Sequence, residues 1–200
     1  MMCFSSTDVL AELSRCVELR SLRCGVEGVA LAKTLTRLRN LSLVIPYNDK
    51  DQYHALSTAE RALRACAELR HLCELRLEGG EYGAKWDAKH SQALSCLLMT
   101  LGTKAPNVTR LSTGGMLSLQ VSPETLLGFF KSLPRLESLH IDRFRFDCLP
   151  GLAEIGGLKR LSGEVTYRKG EADSYRAAIE QFKLQRPEVD CRLGNREYFY

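Results

Sequence analysis

Apolar residues recur along the chain in the spacing Leu-x-x-Leu-x-Leu, in which x is mostly polar. The pattern is clearest at 72–77 (LCELRL) and 136–141 (LESLHI). Alternation of apolar and polar positions predicts a β-strand with one buried face. Copies begin at positions 19, 38, 72, 108, 136 and 158, so they lie 19 to 36 residues apart. We predict strands near 21–24, 40–43, 74–77, 110–113, 138–141 and 160–163, with a possible last strand at 189–193.

The segments between these strands carry apolar residues at helical spacing. We predict helices over about 5–16, 26–36, 55–70, 88–103, 122–132 and 171–184, and a short irregular segment at 147–157. In the helix at 122–132, Ser122 is a candidate N-cap and Pro123 takes the first helical position. Pro134 ends that helix before the next strand. The chain therefore alternates helices and strands.

A single helix–strand unit cannot bury its apolar face, whereas stacked units share a continuous core. Successive strands should then run parallel and pair side by side. The predicted fold class is α/β: a solenoid with a curved parallel sheet on its concave side and helices on its convex side. Two hundred residues suffice for one domain with its own core. We predict a single domain over 1–200 with about six repeats.

The pattern at 72–77 and 136–141 resembles that of leucine-rich repeat proteins, and the resemblance covers nearly the whole chain. Its uneven repeats with helical returns look like the ribonuclease-inhibitor-like and F-box-associated types. Most copies lack the asparagine that follows the strand in the most regular members. No F-box sequence is visible, so an F-box-type role would require the adaptor-binding part to be missing or replaced. The resemblance implies a solenoid fold.

Composition narrows the functional classes only slightly. Hydrophobic residues make up 44% and charged residues 26% of the chain, and the net charge is +4, values typical of globular proteins. The basic residues are scattered, so nucleic-acid binding is permitted but not favoured. The eight cysteines form no CxxC or CxH pair, so we predict no metal site and no cofactor. Without a visible secretory signal or a long apolar run, we expect a cytoplasmic or nuclear protein with reduced thiols and no membrane span.

Ser138, His140 and Asp142 alternate along one predicted strand and look at first like a catalytic triad. Side chains at i and i+2 on a strand are about 6.5–7 Å apart. A serine–histidine or histidine–aspartate hydrogen bond needs about 2.6–3.2 Å. The side chains that can meet lie one strand over, and for His140 these are Ser112 and Ser162. We therefore interpret the three residues as positions on a binding wall.

Aligning the strands places the polar positions in three columns on the concave wall. The first column is Ser21, Asn40, Glu74, Arg110, Ser138 and Arg160. The middle column is Arg23, Ser42, Arg76, Ser112, His140 and Ser162. The third column is Gly25, Val44, Glu78, Gly114, Asp142 and Glu164. Such a polar, charged wall suits a protein partner, and its candidate binding residues are Arg23, Arg76, Arg110, His140, Asp142 and Arg160.

The loops that leave the strands should lie together on one rim of the solenoid. They cover 44–53, 78–88, 114–121 and 142–150 and combine aromatic with basic residues, as interface hot spots do. The candidate rim residues are Tyr47, Tyr82, Trp86 and Phe144. For Phe144 and Phe146 the alternative is that the rings pack over the end of the core.

These features predict a non-catalytic scaffold that recognises another protein through its concave wall and aromatic rim. One alternative is a structural subunit of a large assembly, for example a ribonucleoprotein. Others are the substrate-recognition part of a ubiquitin-ligase-type complex and a wall with no partner. An RNA-contacting module is a further alternative, using Arg23, Arg76, Arg110 and Arg160. A catalytic function is the least favoured interpretation.

Overall fold

The computed structural model of the protein describes residues 16, 18–25, 35–45, 69–79, 88–114 and 122–198. Within these ranges the chain forms one seven-stranded sheet and a set of helices. The strands are β1 (Ser21–Gly25), β2 (Asn40–Ile45), β3 (Glu74–Gly79), β4 (Arg110–Gly114), β5 (Ser138–Arg145), β6 (Arg160–Arg168) and β7 (Asp190–Tyr198). The helices are α1 (Ala88–Lys104), α2 (Pro123–Lys131), α3 (Leu149–Ala153) and α4 (Ala172–Gln185), with a 3-10 turn at Phe146–Cys148.

All strands run parallel and lie side by side in the order of the chain. The parallel sheet with its helices confirms the predicted α/β class. The first six strands begin at the residues that the leucine spacing indicated, and β7 extends the predicted 189–193 to Tyr198. Their register is also the predicted one from β1 to β4, since Ser21 lies opposite Asn40, Asn40 opposite Glu74 and Glu74 opposite Arg110.

A recurring local contact sets this register. Before β5, the Leu136 amide donates to the Leu133 carbonyl (3.2 Å), which closes a turn. The next two amides, of Glu137 and Ser138, then both donate to the Thr109 carbonyl at the start of β4 (2.9 and 3.0 Å). Equivalent turns precede the other strands. Since each copy enters the sheet in the same way, the apolar positions of neighbouring strands fall in line.

The apolar positions of the strands face the helices and form the core. Those of β2 to β6 are at most 2% exposed: Leu41, Leu43, Leu75, Leu77, Leu111, Leu139, Ile141 and Leu161. Thr113 takes the third apolar position of its copy and is 1% exposed. From the helix side, Phe129 and Phe130 of α2 complete the packing. In β1, Leu22 and Cys24 are only partly buried, so the core thins at that end.

Three of the described helices, α1, α2 and α4, lie where the sequence predicted them. α1 and α4 lie within a residue of the predicted 88–103 and 171–184. α2 begins as predicted, with the Ser122 hydroxyl accepting a hydrogen bond from the Thr125 amide (3.3 Å). The segment 147–157, which we predicted to be irregular, instead contains the end of the 3-10 turn and the short helix α3. The helices predicted at 5–16, 26–36 and 55–70 lie almost entirely outside the described residues.

The register breaks in β5, and this corrects one predicted column. Ile141 lies opposite Gly163, but the next pair is Arg143 with Glu164. Asp142 is therefore the extra residue of a β-bulge. The expected third-column pairing of Asp142 with Glu164 is wrong, because the leucine spacing carries no information about an inserted residue beyond the last apolar position.

The bulge also decides where Phe144 lies. The extra residue shifts the alternation of faces, so Phe144 lies opposite Val165 and points into the core, where it is 3% exposed. This corrects the expectation of Phe144 as an exposed rim residue and agrees with the core-packing alternative. Phe146 also packs partly against the core, with the Arg145 guanidinium 5.8 Å from its ring centre.

Gly163 makes this bulge possible. Its φ is +147°, and a Cβ at this position would lie 1.8 Å from the Ile141 carbonyl oxygen. Only glycine avoids this collision, because every other residue carries a Cβ. The sixth copy of the pattern has glycine in place of its last leucine for this reason.

Candidate binding surface

The polar positions of the seven strands point away from the helices and form one surface, which we call the sheet face. Its first column runs Ser21, Asn40, Glu74, Arg110, Ser138, Arg160 and Asp190. Its middle column runs Arg23, Ser42, Arg76, Ser112, His140, Ser162 and Arg192. The register of the sheet thus brings five of the candidate residues onto one surface: Arg23, Arg76, Arg110, His140 and Arg160.

At the N-terminal end of the sheet face, one carboxylate gathers side chains from three strands. Glu78 of β3 accepts hydrogen bonds from Arg23 Nη2 of β1 (2.7 Å) and Ser42 Oγ of β2 (2.7 Å). Its Oε1 also lies 2.9 Å from Arg76 Nε. The register explains the meeting, because Arg23, Ser42 and Arg76 are neighbours in the middle column. We call these four residues the Glu78 cluster.

Exposure differs sharply within the Glu78 cluster. The Glu78 side chain is 17% exposed, whereas those of Arg23 and Arg76 are 62% and 58% exposed. Partial burial raises the pKa of Glu78, but the hydrogen bonds from Arg23 and Ser42 and the nearby charge of Arg76 outweigh it. The pKa of Glu78 therefore lies below its ordinary value. At neutral pH the carboxylate is ionised, and the cluster carries two positive charges and one negative charge.

An open depression of about 580 Å³ lies over this cluster. Seven of its nine lining residues are polar or charged: Ser21, Leu22, Arg23, Asn40, Leu41, Ser42, Glu74, Arg76 and Glu78. On one side, Asn40 Nδ2 donates to Ser21 Oγ (3.1 Å), and on the other Arg110 Nη2 lies 2.8 Å from Glu74 Oε2. Small-molecule sites are usually enclosed and mostly apolar. This depression is instead suited to polar groups carried by a larger partner.

The same arrangement of one carboxylate between two arginines recurs at the C-terminal end of the sheet face. The carboxylates are Glu164 and Asp190. Glu164 lies between Arg143 (3.3 Å) and Arg196 (3.6 Å), and Asp190 between Arg160 (3.8 Å) and Arg192 (3.0 Å). Arg160 and Arg192 are more exposed than Asp190, at 64% and 75% against 44%. Arg192 and Arg196 were not among the predicted binding residues, although aligning Asp190 with the first column would have placed them on this face.

His140 contacts the strand that the spacing argument indicated. Its Nδ1 lies 3.0 Å from Ser162 Oγ of β6, which confirms the predicted cross-strand neighbour. Ser138 lies opposite Arg160 in the first column. Asp142 is half-buried at the bulge. The structure thus joins His140 to the serine of the next strand.

The structure does not test three of the aromatic candidates for the rim. Tyr47, Tyr82 and Trp86 all lie outside the described residues. The aromatic rim therefore stays a prediction, and among its candidates only Phe144 has a described position, in the core.

Two cysteines packed at the core, Cys24 and Cys148, are free thiols of low reactivity. Burial raises the pKa of Cys24 to about 11 and that of Cys148 to about 12, so both are protonated at neutral pH and are poor nucleophiles. Within the described ranges, no group of three or more His, Cys, Asp or Glu residues could hold a metal ion. In the same part of the chain, no helix is both long and apolar enough to span a membrane.

Chemically, the sheet face offers exposed guanidinium groups and hydroxyls on a hydrogen-bonded parallel sheet. Guanidinium groups bind carboxylates and phosphates with two parallel hydrogen bonds. No protein-family model and no curated protein matches the sequence.

Proposed function

We propose that the protein is a non-catalytic recognition scaffold that binds another protein across the sheet face. The observation that carries this proposal is the alignment of polar and charged side chains over seven parallel strands, opposite a face of buried leucines. A surface of this kind is rigid, because its side chains stand on a hydrogen-bonded sheet. Arginine is also enriched at protein interfaces.

The proposed architecture is a leucine-rich repeat-like solenoid, with the sheet face on its concave side and the helices on its convex side. Three observations support it: the recurring leucine spacing, the sequential parallel order of the strands and the recurring turn before each strand. Such solenoids form extended concave surfaces that bind other macromolecules. We further propose that the chain forms a single domain and acts in the cytoplasm or nucleus.

An RNA-binding role is the second candidate, and the exposed guanidinium groups favour it. Arg23, Arg110 and Arg160 are each more than half exposed. Each, however, lies within 4 Å of a carboxylate on the same face, and carboxylates repel a phosphate backbone. A protein partner, which presents single charged side chains among neutral ones, fits such a mixed surface better. The roles in a large assembly or a ubiquitin-ligase-type complex are special cases of this same binding scaffold.

The proposal is tested by affinity capture from an extract of the source cells. The bait is either the wild type or the double variant Arg76→Glu with Arg160→Glu, which reverses two exposed charges on the sheet face. We expect partner recovery to fall by about tenfold or more, as when interfacial charges are reversed. The matched control is Arg176→Glu with Lys183→Glu on α4, where the side chains are 75% and 52% exposed.

The control should recover the same partner as the wild type. Equal recovery with all three baits would contradict binding through the sheet face. Hydrolase activity of the purified protein that is lost in a folded His140→Ala variant would contradict the non-catalytic role.

A further inference from the structure

We propose that the Glu78 cluster binds a carboxylate side chain from an acidic segment of the partner protein. This inference rests on the proposed function, since it names the chemistry of the partner at one place on the sheet face. The site is the depression over β1, β2 and β3, and its ligand groups are the guanidiniums of Arg23 and Arg76.

The geometry leaves room for an incoming carboxylate between the two arginines. Arg23 and Arg76 are both in the middle column, with one strand between them, so their backbones are about 10 Å apart. The residue between them is Ser42, whose side chain is small. Glu78 reaches this space from the third column, along β3, and contacts Arg23 Nη2 at 2.7 Å and Arg76 Nε at 2.9 Å. A side chain arriving from solvent approaches the same guanidiniums from the open side.

The distribution of exposure indicates the sign of the ligand's charge. The single carboxylate of the cluster is 17% exposed, while the two guanidinium side chains are 62% and 58% exposed. The groups that a partner meets first are therefore cationic. Each guanidinium has five N–H donors, and one carboxylate cannot use them all. A second carboxylate would neutralise the remaining positive charge of the cluster.

The neighbouring residues favour a protein carboxylate over a phosphate backbone. Glu74 also lines the depression and is 41% exposed. A continuous chain of phosphates crossing the depression would lie against both Glu74 and Glu78. A peptide in extended conformation places alternate side chains about 6.5–7 Å apart, so one acidic side chain can enter the depression while its neighbours stay clear of the carboxylates.

Because Glu78 already contacts both arginines, it competes with the incoming carboxylate of the ligand. Removing an arginine and removing Glu78 should therefore change the affinity for the ligand in opposite directions. The probe is a fluorescein-labelled octaglutamate peptide, and its binding to the full chain is measured by fluorescence anisotropy at low salt. Arg76→Gln removes one ligand group, so we expect Kd to rise about three- to fivefold, near the upper end for loss of one exposed charge pair. Glu78→Gln removes the competitor, so we expect Kd to fall about threefold or more.

The matched control is Arg176→Gln on α4, whose side chain is 75% exposed. It changes the net charge by the same amount as Arg76→Gln, and we expect its Kd to stay within about twofold of wild type because exposed charges at a distance are screened. Thermal unfolding shows whether each variant is folded. If Glu78→Gln does not fold, Arg23→Gln replaces it, with the expected rise in Kd judged against the same control.

Each of the following results would overturn the inference. One is a folded Glu78→Gln variant that binds octaglutamate no more tightly than the wild type. Another is an Arg176→Gln variant that weakens binding as much as Arg76→Gln. The third is tighter, Arg76-dependent binding of an octauridylate than of octaglutamate, which would assign the cluster to RNA. If octaglutamate fails to bind while capture of the protein partner still depends on Arg76 and Arg160, only this inference fails and the proposed function stands.

Discussion

Gly163 and Asp142 are coupled residues on neighbouring strands. Asp142 is the inserted residue that bulges β5, and Gly163 on β6 lets the bulged backbone approach closely. The shifted alternation buries Phe144 opposite Val165, and it places Arg143 beside Glu164 on the sheet face (3.3 Å). A single insertion thus adds an aromatic ring to the core and places a largely buried guanidinium beside Glu164.

We predict that Gly163→Ala lowers the free energy of unfolding by about 3 kcal/mol or more, as buried backbone collisions do. The reason is that the new Cβ would lie 1.8 Å from the Ile141 carbonyl oxygen, at a φ of +147°. The measurement is urea unfolding followed by circular dichroism. Gly194→Ala on β7 is the control, because its Cβ would meet its nearest neighbour at an ordinary 3.8 Å. Equal unfolding midpoints for the two variants would show that β6 does not require glycine at this point.

Most of the sheet face could be predicted from the leucine spacing, but the bulge at Asp142 could not. Columns from Ser21 to Arg110 could be read from the sequence because every copy has the same distance between its apolar positions. The Glu78 cluster depends on where long side chains reach across strands, which spacing alone does not specify. The glycine at 163 was a signal, since a leucine position occupied by glycine often marks a bulge.

At the scale of elements, the described helices are joined to the sheet by turns that begin with a buried apolar residue, such as Leu133 and Ile155. The turn before β7 begins with Arg186 instead. Its guanidinium donates hydrogen bonds to four backbone carbonyls of the preceding unit: Ala153 (2.7 Å), Ile155 (2.8 Å), Gly156 (3.4 Å) and Leu158 (2.9 Å). Arg186 thus ties the end of α4 to the end of α3 and to the turn before β6.

We predict that Arg186→Met lowers the free energy of unfolding by about 2–3 kcal/mol, since hydrogen bonds from a charged group are lost and their acceptors are left partly buried. The Arg186 side chain is only 11% exposed. Methionine keeps most of its aliphatic part, so the substitution removes the hydrogen bonds and leaves most of the packing. Arg186→Lys should cost less, because one ammonium group can satisfy some of the carbonyls. Arg176→Met on the same helix, at a 75% exposed position, should change stability by less than about 0.5 kcal/mol. If Arg186→Met is no less stable than Arg176→Met in urea unfolding, the turn does not depend on these hydrogen bonds.

At the scale of the whole molecule, sequential parallel pairing has a consequence for the two ends of the sheet. Among the described strands, β1 pairs only with β2 and β7 pairs only with β6. In a parallel sheet, alternate residues of a strand bond to either neighbour, so half of the amides of an end strand point away from the sheet. The apolar side chains of β1 are also less buried than those of β2. Both features weaken the ends relative to the centre.

We predict that hydrogen–deuterium exchange detects this gradient. Amides of β3 to β5 should exchange most slowly, because these strands are paired on both sides and their apolar side chains lie in the core. Amides of β7 should show alternating protection, slow where they bond to β6 and fast where they face outward. The measurement is exchange followed by NMR, at a low and a high protein concentration. Uniform slow exchange along β7 at low concentration would contradict an open edge. Protection that appears only at high concentration would instead identify β7 as the edge at which two copies pair.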